Sequence, residues 1–281
     1  MIVVRTVADL RAALRERRGG SIALVPTMGA LHEGHATLLR AARRTDDTVV
    51  MTIFVNPAQF NEKSDLAAYP RTEEADLALA DSEGVDVVFA PDVSEVYPEG
   101  FATTVSVSGP IAETLEGAER GRAHFDGVAT VVTKLLLAAL PDHAYFGAKD
   151  AQQVAVIRRF VADLGIPVDL VICPTSRDAD GLARSSRNTR LSPDERARAL
   201  AIPHALQEVT DAVAAGTADT DALRSRALKT LGAAGIRPEY VAFVDPITFA
   251  PAAVVDEPVL VAIAARVGST RLIDNTVLGG A

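Results

Sequence analysis

"SIALVPTMGALHEGHATLLRAARR", Ser21 to Arg44, decides the fold. "SIALVP" is a short apolar run closed by Pro26 and reads as a buried strand. "GHATLLRAARR" sets Leu38, Leu39 and Ala42 on one helical face. Between strand and helix lie Gly29 and Gly34 and two histidines, His32 and His35. Strand, glycine-containing loop and helix in that order begin a βαβ unit. The loop leaves the carboxyl end of its strand, where doubly wound sheets hold their ligands.

The same alternation continues outward. "TVVMTIFV" (Thr48 to Val55) is a second strand, "TEEADLALADSEG" a helix with an acidic first turn that stops at Gly84, and "VDVVFAP" a third strand. "GVATVVTKLLLAAL" (Gly127 to Leu140) has the length of a helix, which Pro141 terminates. "HAYFG", "DAQQVAVIRRFVADLG" and "VDLVICP" give strand, helix and strand again. The expected fold class is α/β, a Rossmann-like doubly wound parallel sheet over residues 1–174. After Pro174 a polar, Arg-rich loop (Thr175 to Leu191) leads into two helical stretches, the first carrying Pro203 as a kink, and then three β-like runs. Residues 175–281 are therefore expected to form a smaller C-terminal α+β domain, joined by a loop able to close as a lid.

Composition narrows the function. Of 281 residues, 48% are hydrophobic and 23% charged, as in an ordinary globular protein. The net charge of −9 opposes a nucleic-acid surface, which needs clustered Lys and Arg. A single cysteine, Cys173, excludes an internal disulfide and a thiolate metal cluster, and reads as a small buried hydrophobe. "MIVVRTVADLRAALRERRGG" carries charges throughout and is not expected to be a signal peptide; "VLVAIAA" is too short to span a bilayer. A cytoplasmic protein with no membrane partner is expected.

Several motifs fail. No P-loop, dinucleotide fingerprint or G-x-S-x-G elbow is present. "HEGH" spaces its histidines three apart, not the four that zinc-protease helices use, and "DADG" is too short for a calcium loop. Chemistry falls to imidazoles, cations, hydroxyls and amides in four loops. His32 and His35 can donate to phosphate oxygens beside a helix N-terminus, or can simply cap a turn. "FVNPAQF" brings Asn56 and Gln59, neutral groups suited to a polar uncharged substrate, or to a plain turn. "FGAKDAQQ" offers Gly147, Lys149, Asp150 as a helix cap, and Gln153 about a turn further in. "DGLARSSRN" supplies two serines and two arginines, a clamp for a polyphosphate or else a solvated linker. Four such loops at the strand ends of one sheet describe a nucleotide site.

"PTMGALHEGH", "FVNPAQF", "YPRT", "HFDGVATVV", "FGAKDAQQ" and "SSRN" together, in this order and nearly end to end, resemble the pantoate–β-alanine ligase family of the nucleotidyltransferase superfamily. The resemblance implies that (R)-pantoate and ATP, with Mg²⁺, form pantoyl adenylate and pyrophosphate, and that β-alanine then displaces AMP to give pantothenate. It implies catalytic roles for His32, His35, Lys149, Ser185 and Arg187. Met28, Gly29, Gly147, Asp150 and Ser186 join these around ATP, and Met28, Gln59 and Gln153 hold pantoate. It makes residues 1–174 the ATP- and pantoate-binding catalytic domain and 175–281 the lid, in a homodimer. Two stretches depart from the family: Arg184 stands where a Met is usual before "SSRN", and "ERGRAHF" carries an extra residue, so that Arg120 or Arg122 takes the place of the family arginine. His143 and His204 fall in no motif and read as structural or surface residues. Another nucleotidyltransferase would share the paired histidines without "FVNPAQF"; an RNA-facing relic would need a basic stripe; a silent binding protein would not need every phosphate-handling group.

Overall fold

The computed structural model describes residues 1–60 and 63–279. Two compact units emerge, Met1–Ala148 with Val156–Pro174, and Lys149–Ala155 with Thr175–Ala281. They differ from a division at 174/175 in the segment Lys149–Ala155, which groups with the second unit.

In the first unit, β1 (Ile2–Val4), β2 (Ile22–Val25), β3 (Thr48–Thr52), β4 (Val87–Phe89), β5 (His143–Gly147) and β6 (Asp169–Cys173) form one sheet. Its order is β1-β4-β3-β2-β5-β6, and every pairing is parallel. Successive crossovers run one way from β2 to β3 and β4, and the other way to β5 and β6. The topology thus switches beside β2, and the loop after β2 opens at the switch point. The helices are α1 (Val7–Arg15), α2 (Glu33–Thr45), α3 (Lys63–Ala68), α4 (Glu73–Ser82), α5 (Val93–Val96), α6 (Pro110–Glu113), α7 (Glu116–Arg120), α8 (Arg122–Ala139) and α9 (Ala151–Asp163), whose first turn belongs to the second unit.

β2, β3 and β4 are buried along their whole length, which is why they read as unbroken apolar runs and not as alternation. α2 buries Leu38, Leu39 and Ala42 against Ala23, Val25, Val49, Met51 and Tyr145. β3 ends at Thr52, short of the Val55 expected. Beyond it Ile53 N–H donates to the Phe89 carbonyl (2.9 Å) and Phe54 N–H to that of Thr27 (3.1 Å), while at Thr52 itself side chains join in: Thr27 N–H donates to Thr52 Oγ1 (3.1 Å) and Thr27 Oγ1 to the Thr52 carbonyl (2.5 Å). α8 starts at Arg122, earlier than the Gly127 expected, and ends as Leu140 turns left-handed (φ 47°) before Pro141. At the amino ends of the strands the buried Asp46 accepts from Tyr145 Oη and pairs with His143 Nδ1, both at 2.6 Å, so His143 is structural.

The second unit adds α10 (Pro193–Ala199), α11 (Ala201–Ala214), α12 (Thr220–Ala233) and an antiparallel sheet of β7 (Pro238–Val244), β8 (Val259–Val267) and β9 (Thr270–Leu278). Its core joins Leu206, Val209, Leu223, Leu231, Phe243 and Ile263. The kink expected at Pro203 is a break one turn earlier, at Leu200 between α10 and α11. Proline has no N–H to give the carbonyl four residues back, that of Ala199, and its ring crowds it. Among the described residues no helix is long and apolar enough to cross a membrane.

Candidate active site

His32 is the N-cap of α2, in extended backbone (φ −143°). Its Nδ1 accepts from Gly34 N–H at 3.0 Å, and His35 Nδ1 accepts from His32 N–H at 3.3 Å. The rings lie 4.2 Å apart, tilted by 45°. This is a capping box built from two imidazoles in place of the usual hydroxyl and carboxylate. It merges the two readings of the sequence, because both histidines cap the helix and both stand at its N-terminus. An accepting Nδ1 carries no proton, so each neutral ring holds its proton on Nε2. The cap therefore fixes two Nε2–H donors at the positive end of a helix dipole.

Gln59 sits in a 3-10 turn (Pro57–Gln59) after β3. Its Nε2 donates to Met28 Sδ at 3.0 Å, which unites two of the pantoate candidates. Asn56, 1% exposed, aligns it: Nδ2 donates to Gln59 Oε1 and to the Gly127 carbonyl, each at 3.0 Å, while Oδ1 accepts from Tyr97 Oη (2.7 Å) and Ala58 N–H (3.2 Å). Burial pushes the Tyr97 phenol up to about 12, so it stays a donor. His124 Nδ1 donates to the Gln59 carbonyl at 2.9 Å. Gly127 must be glycine here, for a Cβ would lie 2.4 Å from the Ala58 carbonyl oxygen. Beside this network Met28, Gly29 and Phe54 help line an open cleft of about 220 Å³.

In the second unit Lys149, Ser185 and Arg187 line one narrow crevice with Asn188 and Asp274. The Asp274 carboxylate, 3% exposed, is neutralised by a two-pronged pair with Arg177 (2.6 and 3.0 Å), so the crevice keeps the cationic character of Lys149 and Arg187. Asn275 Nδ2 holds the Lys149 carbonyl at 2.7 Å. Ser185 caps a 3-10 turn (Ser186–Arg190), its Oγ accepting from Arg187 N–H at 3.3 Å. Ser186 and Asp150 are exposed, and Gln153 is half-buried in the first turn of α9. No heavy atom would meet a Cβ on Gly147 within 4 Å, so packing leaves open ground there.

Of the two arginines in "DGLARSSRN", Arg184 pairs through Nε with Asp178 at 3.0 Å, beside Arg196, which bridges Asp178 and Asp180 at 2.8 Å each, and Arg187 lines the crevice. In "ERGRAHF", Arg120 pairs with the buried Glu116 (3.0 Å), whereas Arg122 reaches Ser106 (3.1 Å) from the exposed start of α8. The sequence marks Gln59 by its motif but does not mark Tyr97, the Arg177–Asp274 pair or the buried Asp76, which accepts from Ala30 and Leu31 N–H. Their partners lie far away in the chain or are backbone groups, and no local motif marks them. Among the described residues no group of three or more His, Cys, Asp or Glu side chains is placed to hold a metal.

The Pantoate-beta-alanine ligase family model matches residues 2–277. The chain is 51% identical to the pantothenate synthetase of Roseiflexus sp. (strain RS-1), covering 99% of both, and 51% identical to that of Koribacter versatilis, covering 100% of this chain and 97% of the relative. The crystal structure of pantothenate synthetase from Thermus thermophilus superposes with a TM-score of 0.92 at 46% identity, covering 98% of this chain and 99% of that one. Pantoate-beta-alanine ligase from Francisella tularensis, complexed with beta-gamma ATP and beta-alanine, superposes at 0.80 with 32% identity, over 99% and 97%. By its sequence from end to end and by its fold, the chain belongs to the pantoate–β-alanine ligase family.

Proposed function

We propose that this chain joins (R)-pantoate to β-alanine at the expense of ATP, releasing AMP and pyrophosphate. The observation that carries the reading is the end-to-end family match, together with the imidazole capping box that holds two Nε2–H donors at a helix N-terminus. A pantoate carboxylate oxygen attacks the α-phosphorus, the bond to the bridging oxygen breaks and pyrophosphate leaves. The free amine of β-alanine then attacks the acyl carbon. The C–N bond forms, AMP departs with the carboxylate oxygen, and the amine proton passes to solvent. No protein nucleophile is needed; catalysis is positioning and charge stabilisation at phosphorus.

The residue roles are part of the proposal. His32 and His35 donate Nε2–H to the α-phosphate as charge builds on its oxygens. Met28 and Gln59 hold pantoate in the first unit, with the Asn56 network setting the Gln59 amide, and Gln153 adds a further amide. Lys149, Ser185, Ser186 and Arg187 receive the outgoing phosphates. Gly29, Gly147 and Asp150 accommodate the nucleotide. Mg²⁺ enters as part of the substrate, bound mainly through phosphate oxygens and water, as is usual for this ion. The residues on either side of 174/175 divide into catalytic and lid functions, and the assembly is a cytoplasmic homodimer, which sedimentation of the purified protein would check.

The experiment is turnover with MgATP, (R)-pantoate and with or without β-alanine. Multiple turnover of AMP together with pantothenate, only when both substrates are present, is the expected result. A folded, ATP-binding protein that makes neither overturns the reading.

A further inference from the structure

The loop between β2 and α2 has an unusual backbone. Gly29 (φ +76°) and Ala30 (φ +50°) are consecutive left-handed residues, a conformation that Ala adopts only at a cost. Behind them stands Asp76, in the first half of α4 and 2% exposed. Its Oδ2 accepts from Ala30 N–H at 3.0 Å, and its Oδ1 from Leu31 N–H at 2.7 Å. Thr72 Oγ1 donates to Oδ2 at 3.2 Å. The fit is close: a Cβ on Gly29 would lie 2.9 Å from Oδ2 and 3.2 Å from Ile53 Cγ2.

Successive N–H groups pointing one way form an anion-binding concavity, the device that phosphate-binding loops offer to their ligand. Here the anion is internal. The carboxylate consumes the amides of Ala30 and Leu31, so this loop meets a ligand with side chains. Those side chains flank the pinned amides: Met28 precedes the left-handed pair and His32 follows Leu31 directly. A buried charge without partners would be prohibitive, so the carboxylate and the loop conformation require each other.

Resting on the ligase reading above, we infer that Asp76 is a positioning residue for adenylation, holding the Gly29–Ala30 turn so that Met28 and the His32–His35 pair meet pantoate and the α-phosphate in register. It acts through backbone and touches no substrate. Misplacement of reacting groups by about 1 Å can cost about a hundredfold in rate.

The test compares two buried carboxylates. Asp76→Asn keeps the volume but turns an NH₂ toward one of the backbone donors; Asp76→Ala removes both acceptors. The control is Asp46→Asn, which likewise turns an NH₂ toward one of two donors, Tyr145 Oη or His143 Nδ1, at the amino ends of the strands. Readouts are single-turnover pyrophosphate release with MgATP and pantoate, thermal melting, and amide hydrogen exchange at Ala30 and Leu31 without substrate. Expected are losses of about tenfold for Asp76→Asn and about a hundredfold for Asp76→Ala, with faster exchange at Ala30 and Leu31. Asp46→Asn should melt earlier but release pyrophosphate near the wild-type rate. If Asp76→Ala does not fold, Asp76→Asn decides. Wild-type pyrophosphate release or unchanged exchange in a folded Asp76→Asn protein overturns the inference. So does an Asp46→Asn protein slowed as much as Asp76→Asn. Failure of the ligase reading is distinct, because wild-type protein would then release no pyrophosphate with pantoate, while the exchange arm still reports the hold of Asp76 on the loop.

Discussion

Two loops carry most of the candidate phosphate contacts, and they are held in opposite ways. The loop from Pro26 to His35 is fixed from inside by a buried carboxylate on two amides, a threonine tie to β3 and a capping box of imidazoles. The loop around Ser185 is fixed by partly exposed ion pairs among Arg184, Asp178, Arg196 and Asp180. Buried hydrogen bonds to backbone are stiff and little screened, whereas exposed pairs are weak one by one and yield to salt. On the proposed roles, the first loop supplies accuracy at the reacting phosphorus and the second adjustable capture of the phosphates that leave.

The sharpest break of this comparison is His32→Asn. Asparagine is itself a good N-cap, so α2 should keep its stability within about 1 kcal/mol. The Nε2–H donor is gone, and adenylation should fall by about 10²–10³. Melting and pyrophosphate release, measured on one preparation, separate cap from catalysis. A variant that melts early yet turns over normally would make the histidines purely structural.

Gly127→Ala comes next. Its methyl would strike the Ala58 carbonyl and push the turn that holds Gln59. A stability loss of about 1–3 kcal/mol is expected from overpacking, with a rise in KM for pantoate that exceeds any rise for ATP. Equal rises for both substrates would detach the turn from pantoate.

In the second loop the effects should be small and salt-dependent. Arg184→Met frees Asp178 from one partner, and KM for ATP should rise by about two- to fivefold at low salt. The difference from wild type should shrink as sodium chloride is added. A change that persists undiminished at high salt would mean that Arg184 contacts nucleotide directly.

The smallest effect is alkaline. Burial, with the Asp46 hydrogen bond adding to it, pushes the Tyr145 phenol from 10.0 up to about 12. Raised in the folded state, this group contributes stability that is fully present below pH 10 and lost as pH climbs through about 12. Tyr145→Phe should therefore flatten the pH dependence of melting across that window, at some cost in stability at neutral pH from leaving Asp46 short of a donor.

Much of this was legible in the residues. The buried strands and α2 declare themselves by period, because burial on both faces and burial on one stripe leave different patterns. The paired histidines, Gln59 and Lys149 stand in loops whose position follows from strand order. β1 escapes because three edge residues, pairing only with β4, are too few to show a period. The break at Leu200 lies one turn before Pro203 because the lost hydrogen bond belongs to the preceding turn. Asp76 looks in sequence like one more acid in a helix's first turn, and Asp46 like a polar residue between helix and strand. What distinguishes them is burial against backbone amides or against residues about a hundred positions away, which no short window contains. Arg184 reads equally as a phosphate contact or a solvated side chain, and its ion pair with Asp178, six positions earlier, is not marked by any motif.

The most direct test of the account follows one oxygen. Pantoate labelled with heavy oxygen in its carboxylate is turned over with MgATP and β-alanine, and the products are weighed by mass spectrometry. Attack of the carboxylate on the α-phosphorus predicts one label in AMP and one left in the amide carbonyl of pantothenate. Label in inorganic phosphate with ADP as the nucleotide product, or AMP carrying none, would contradict an adenylate and with it the role given to the two histidines.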